Sequence, residues 1–317
     1  VRARAPGKLV LSGAYSVLWG APALVTTVDR HALADASRPH DFVPREIEVA
    51  LSLGLLSHAP KLDVSELRAW GADGRSQKLG LGSSAALLVA ALAAAPTADT
   101  PALGSDELLA AAVRAHRLAQ GGGSGIDVAA SALGGTLVCT LEVPSGDAVG
   151  ASASASLDLA LRAASTSLPP ALHVECWRTS RAAVTASMVA AVRGLELREP
   201  ATFARALGPA REGAVAAAQA CARGDAAALV EALETQTAAL ASLGELAGAP
   251  IVPGELAQAR ATAALERAVV LPSGAGGGDV VLLVRVADAP ASQAALRALG
   301  YERLELELGV RGAHRVE

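Results

Sequence analysis

The stretch that most constrains this chain is Gly80-Leu81-Gly82-Ser83-Ser84-Ala85-Ala86, which runs directly into the apolar segment Leu87 to Ala95. That segment has no Gly or Pro and is almost all Ala and Leu, the residues with the highest helix propensity. A helix is therefore expected, with Ser83 or Ser84 at its N-terminus, where a hydroxyl can cap orphan N–H groups. Glycines just before a helix let backbone N–H groups close on an anion, and the helix dipole adds positive potential there. The stretch reads as a phosphate cradle. The competing reading is an ordinary glycine turn before a buried helix.

Two better-known glycine loops fit poorly. A Walker-type loop requires a Lys after its last Gly, and Ser83 follows Gly82. Gly80, Gly82 and Ala85 match the spacing of a dinucleotide fingerprint, but that motif needs an apolar strand immediately upstream. Here the preceding residues are Gly74-Arg75-Ser76-Gln77-Lys78, and Pro96 to Thr100 reads as a loop rather than a strand ending in an acid.

With 317 residues, two domains are the natural expectation. Hydrophobic residues are 52% and charged ones 18%, which excludes a disordered chain, while 2% aromatics leave few stacking platforms for bases. A net charge of -4 with scattered Lys and Arg also speaks against a nucleic-acid surface. Cys139, Cys176 and Cys221 are far apart, lack metal-ligand spacing, and read as buried thiols of a reducing compartment. No apolar run reaches the ~18 residues of a membrane span. Val1-Arg2-Ala3-Arg4 is not followed by a signal-type core. A cytoplasmic protein without membrane partners is expected.

Along the chain, Pro6-Gly7 reads as a turn between short strands, with Lys8 just past it and a further strand near Ala23 to Val28. Residues 31 to 77 read as short strands and loops. A helix is expected from Ser105 to about Gln120, stopped by Gly121-Gly122-Gly123. Ser124-Gly125-Ile126-Asp127-Val128 follows as a tight turn carrying one carboxylate, either a helix cap or a catalytic acid. After it come a short helix, Ala129 to Leu133, and a strand, Thr136 to Leu141. A domain boundary is placed near Pro169-Pro170, dividing the chain into 1–168 and 169–317. The second part reads as a strand at His173 to Trp177 and helices at about 180–194, 201–222 and 225–243. A third glycine-rich segment, Ser273 to Asp279, precedes a strand at Val280 to Val286, a helix at Ala291 to Leu299 and a closing strand at Tyr301 to Leu308. Arg178 and Ser180 lie between a strand and a helix, a reasonable anion site by helix-terminus logic or else a solvated loop. His31, His40, His58 and His314 read as solvated.

Three glycine-rich segments in this order resemble the galactokinase–homoserine kinase–mevalonate kinase–phosphomevalonate kinase (GHMP) superfamily. Ala5-Pro6-Gly7-Lys8 is similar to its first motif, Gly80 to Ala86 to its second, and Ser273 to Asp279 to its third. Among its members the likeness is strongest to the bacterial phosphomevalonate kinases, through Lys78 to Ala86, Ala115 to Gly121 with Ser124 to Val128, and Pro272 to Asp279. The resemblance implies an α+β, two-domain fold: an N-terminal ATP-binding domain like ribosomal protein S5 domain 2, and a ferredoxin-like C-terminal domain. It implies ATP and Mg2+ as cofactors, a small-molecule phosphate acceptor, and a monomer or homodimer. The implied catalytic residues are Lys8 and Asp127. Gly80, Leu81, Gly82, Ser83, Ser84, Ala85, Gly276 and Gly277 are implied to bind the nucleotide, with Ser84 on the metal. Ser124, Gly125, Arg178, Ser180, Ser273, Gly274 and Ala275 are implied on the acceptor side.

The chain departs from the family pattern at four places. Ala14 stands where related mevalonate kinases carry Glu, and His116 stands roughly where a magnesium-binding Glu is usual. The Gly121–Gly123 turn lacks a Lys found in phosphomevalonate kinases, and Leu271 precedes Pro272 where a Lys is common. The function implied is ATP-dependent phosphorylation of 5-phosphomevalonate. The alternatives are a kinase of mevalonate or another small alcohol, and a catalytically weak nucleotide-binding relative.

Overall fold

A computed structural model describes residues 1–39, 42–70, 76–95, 104–142, 159–179 and 185–316. Two strands, β1 (Arg2–Ser12) and β2 (Ala23–Pro39), pair antiparallel along most of their length. Helix α1 (Arg45–Ser52), β3 (Pro60–Asp63) and a small two-stranded sheet, β4 (Arg68–Trp70) with β5 (Ser76–Lys78), lead to three helices. These are α2 (Ser83–Ala94), α3 (Ser105–Gln120) and α4 (Ile126–Leu133). Strands β6 (Thr136–Leu141) and β7 (Leu161–Thr166) complete the first sheet, and β8 (His173–Arg178) opens the second. Helices α5 (Thr185–Arg198), α6 (Pro200–Ala222), α7 (Ala226–Ala247) and α8 (Ala257–Leu265) follow. The chain ends with β9 (Val269–Pro272), β10 (Val280–Arg285), α9 (Pro290–Ala298), β11 (Glu302–Leu304) and β12 (His314–Val316). The sheet orders are β12-β1-β2-β6-β7, with β3 also on β2, and β11-β8-β10-β9. This is the mixed helix-and-strand architecture expected of the sequence.

Pro6-Gly7 is a bulge inside one strand rather than the expected turn. The register jumps from Pro6 opposite His31 to Gly7 opposite Val28, leaving Asp29 and Arg30 over on β2. A proline cannot donate to a ladder and is tolerated at such a bulge. Gly7 is required there by close approach, because a Cβ would lie 2.7 Å from the Leu81 carbonyl oxygen and 2.8 Å from Leu67 Cδ2. The bulge re-aims the strand so that Lys8 meets the loop before α2.

Helix α2 is buried on every side from Ala85 to Leu92, as an all-apolar helix must be. Each fully buried leucine such as Leu88 contributes ~2 kcal/mol by leaving water. The apolar cluster around α2 also takes in Leu229 and Leu233 of α7 and Leu282 of β10, so both sheets share one core. Helix α3 falls where the pattern placed it, closed by Gly121 in the left-handed region. The segment expected as short strands and loops instead begins with the second half of β2, where buried Ala32 and Ala34 supply the inward face. The closing strand stops at Leu304; farther on, Leu308 bridges to Val28 of the first sheet. No described helix is long and apolar enough to cross a membrane.

Candidate active site

Lys8 lies just beyond the bulge, and its backbone N–H donates to the Leu81 carbonyl at 2.9 Å. That bond fixes the glycine loop against β1. The Lys8 side chain is buried and runs along the loop, with Nζ 3.4 Å from the Gly80 carbonyl oxygen. Two glycines make this approach possible. At Gly82 (φ +78°) a Cβ would stand 3.0 Å from Lys8 Cε, and at Gly80 (φ +72°) it would stand 2.4 Å from Asp279 Cβ. Gly274, from the third glycine segment, faces Nζ from another side. Burial pushes the Lys8 ammonium below its usual 10.5, while Asp127 and then Asp279 oppose that shift.

Neither Ser83 nor Ser84 caps α2. The N-cap is Gly82, and no side chain makes a cap hydrogen bond. Ser83 is buried, and the Ser84 hydroxyl instead meets His116 Nε2 at 3.2 Å. The left-handed glycine won the cap position because the loop must turn sharply around Lys8. A helix mouth bounded by a glycine, with no acidic residue in its first turn, suits an anion.

Asp127 stands in the first turn of α4, after Gly125 at φ +79°. The turn leading to it is held by buried Arg117, whose guanidinium donates to the carbonyls of Gly123 (3.1 Å), Ser124 (2.9 Å) and Leu159 (2.6 Å). Asp127 Oδ1 accepts the Val128 N–H at 3.0 Å, and Oδ2 lies 3.9 Å from His116 Nε2. Ser84, His116 and Asp127, from α2, α3 and α4, thus meet at one point.

The third glycine segment is tied to both halves of the chain. Ser273 Oγ accepts the Val10 N–H at 2.9 Å, and the Tyr15 hydroxyl donates to the Ala275 carbonyl at 2.6 Å. Burial pushes the Tyr15 hydroxyl up, so it stays a donor. Gly276 and Gly277 pack on the loop after α7: a Cβ at Gly276 would strike the Ile251 carbonyl, and the Gly277 N–H donates to that same oxygen at 3.2 Å. Arg178, at the end of β8, pairs with Glu302 at 2.5 Å, and Ser180 lies outside the described residues.

The fold therefore brings together Lys8, the Gly80–Ser84 loop, Asp127 and Gly274. Leu81 and Ala85, expected to bind the nucleotide, are fully buried, and the Leu81 carbonyl is taken by the Lys8 N–H. Sequence reasoning missed Asp279 as a site residue. Its signal was a lone acid ending a run of three glycines, and it adopts φ +57°, a conformation uncommon outside glycine that aspartate takes more readily than most residues. Ser84 and Asp127 are oxygen donors of the kind Mg2+ takes beside phosphate oxygens and water. Among the described residues no cluster of three or more His, Cys, Asp or Glu is arranged to hold a metal ion alone. A cation here would be shared with a phosphate-bearing ligand.

Gly82→Val tests the loop. A β-branched residue at φ +78° is strained and crowds Lys8, so ATP affinity should fall about tenfold or more by titration calorimetry. Unaltered affinity would show that the mouth of α2 does not hold the nucleotide.

Residues 71–135 match the family described as GHMP kinases N terminal domain. Comparison with curated protein sequences gives no match. Among solved structures, the chain is similar to the Lin0012 protein from Listeria innocua, at 21% identity over 99% of both chains with a TM-score of 0.80. It is similar to Streptococcus pneumoniae phosphomevalonate kinase in complex with phosphomevalonate and AMPPNP, at 20% identity over 97% of this chain and 99% of that one, with a TM-score of 0.75. Lactococcus lactis galactokinase complexed with galactose gives 13% identity, 99% and 95% coverage, and a TM-score of 0.68. Residues 71–135 are thus similar to the N-terminal domain of the GHMP kinases, and the whole length takes the fold shared by these solved structures.

Proposed function

We propose that this protein transfers the γ-phosphate of ATP to 5-phosphomevalonate, giving 5-diphosphomevalonate and ADP. The observation that carries the reading is the glycine-bounded mouth of α2, with the Lys8 ammonium on its Gly80 side and Asp127 close by across Ser84 and His116. The choice of acceptor leans on the likeness to a phosphomevalonate kinase over 97% of the chain. Phosphoryl transfer needs mainly alignment and fixed positive potential. The first-turn amides of α2 hold the β- and γ-phosphates, and Lys8 offsets charge on the moving phosphoryl. Asp127 accepts or orients the proton of the attacking group. Ser84, with the phosphate oxygens of the nucleotide, would hold a Mg2+ ion, which would supply further charge neutralisation. Ser124, Gly125 and the segment Ser273–Ala275 bound the acceptor side. In this reading residues 1–168 bind the nucleotide, residues 169–317 form the second domain, and the enzyme works in the cytoplasm.

A second reading, a kinase of mevalonate or another unphosphorylated alcohol, is favoured by one observation. Leu271, at a position where a Lys is common in phosphomevalonate kinases, is buried in β9 and brings no cation. An ADP-release assay across 5-phosphomevalonate, mevalonate and homoserine separates the two. The expected result is the highest kcat/KM with 5-phosphomevalonate. Preference for mevalonate would replace the acceptor and leave the kinase, whereas no turnover with any of them would leave a nucleotide-binding relative.

A further inference from the structure

His116 is the one buried polar side chain of α3 that reaches the mouth of α2 in place of the structural work its neighbour Arg117 performs. It is 7% exposed, and its Nε2 stands 3.2 Å from Ser84 Oγ and 3.9 Å from Asp127 Oδ2. Only the first distance is a hydrogen bond. Asp127 already takes a backbone N–H at Oδ1, which keeps it oriented without the imidazole. The contact that matters is therefore the one to Ser84. A hydroxyl has one proton and two lone pairs. If the proton goes to a nitrogen behind it, the oxygen is left as a pure acceptor toward the cleft. If the nitrogen donates instead, one lone pair is consumed and the remaining one shares the cleft side with the hydroxyl proton, which makes the oxygen a poorer ligand for a cation.

We propose that His116 is a positioning residue whose Nε2 accepts the Ser84 hydroxyl proton, so that the Ser84 oxygen is presented as an acceptor to the divalent cation that accompanies the nucleotide. The inference rests on the kinase reading and adds to it the residue that prepares the metal-facing hydroxyl. His116 acts through Ser84 and touches neither nucleotide nor acceptor.

The test reads cation affinity rather than turnover. Manganese binding to the full-length protein saturated with ADP is measured by electron paramagnetic resonance, beside ADP affinity without metal. Residues that orient metal ligands typically change metal affinity ~10–100-fold, and His116→Leu, which keeps bulk and loses the acceptor, should weaken manganese by that range. Metal-free ADP affinity should stay within about twofold of the parent, on the reasoning that the amides of α2 bind it. His116→Gln, whose Oε1 can occupy the place of Nε2, should recover most of the loss. In a Ser84→Ala background, His116→Leu should cost nothing further, since a residue acting through Ser84 is non-additive with it. Parental manganese affinity in His116→Leu, or an equal loss in the Ser84→Ala background, overturns the inference while leaving the kinase reading intact. A parent protein that binds no ADP overturns both. Should His116→Leu fail to fold, His116→Gln and the Ser84→Ala pair decide alone: a His116→Gln protein weakened as much as Ser84→Ala overturns the proposal.

Discussion

Replacing Asp127 with asparagine should lower kcat at least ~100-fold while leaving ATP affinity nearly unchanged. Asparagine has the same shape and keeps an oxygen that can accept the Val128 N–H, so the start of α4 survives. Arg117 continues to hold the preceding turn through three carbonyls, none of which involves the Asp127 side chain. What disappears is the charge. The amide cannot take a proton from the attacking group, and the field that helps keep Lys8 cationic is weakened. On the proposed reading nucleotide affinity rests on the α2 amides and Lys8, so steady-state kinetics and calorimetry should separate: kcat falls and the ATP dissociation constant moves by no more than a few-fold. A variant with near-parental kcat would remove Asp127 from the chemistry.

That separation depends on how the site was assembled, and parts of it were readable in the residues alone. The glycine pair before α2, the carboxylate after Ser124-Gly125 and the third glycine segment were all visible, because each needs left-handed backbone or close approach that only glycine allows. Helix α3 was placed by its acidic first turn and its terminal glycine. Other features were hidden for physical reasons. Pro6-Gly7 carries the local signature of a turn; only the opposing β2, which continues past it, makes it a bulge. The second half of β2 uses alanine as its inward residue, which strand propensity does not favour. The capping role of Ser83 and Ser84 was an inference from type, overridden when Gly82 took the cap and His116 took the Ser84 hydroxyl. Asp279 joined the site through tertiary contact with Gly80, a pairing about two hundred residues apart in sequence that no local pattern encodes.

Lys8→Met should lower kcat/KM by about 10²–10³, the cost typical of removing one preorganised electrostatic group, with little loss of fold. Methionine fills the path beside Gly80 and Gly82 without a charge to desolvate, and desolvation is the largest influence on Lys8 in the folded protein. The pH dependence gives a second, independent reading of the same residue. Burial holds the Lys8 pKa in the folded protein below the 10.5 of a free side chain. Between those two values the unfolded chain binds the extra proton, so this group makes stability rise with pH across that window. Activity that requires the ammonium moves the opposite way, falling as pH climbs through the folded-state pKa. The parent enzyme should therefore lose kcat/KM on the alkaline side before pH 10.5 while its lysine contribution to stability improves. Lys8→Arg, charged throughout, should lack that alkaline fall, and Lys8→Met should lack both trends. Kinetic pH profiles and thermal unfolding over the same range check this. A flat parental profile up to pH 10.5, or a Lys8→Met enzyme with parental kcat/KM, would mean that the buried ammonium does not face the phosphoryl group.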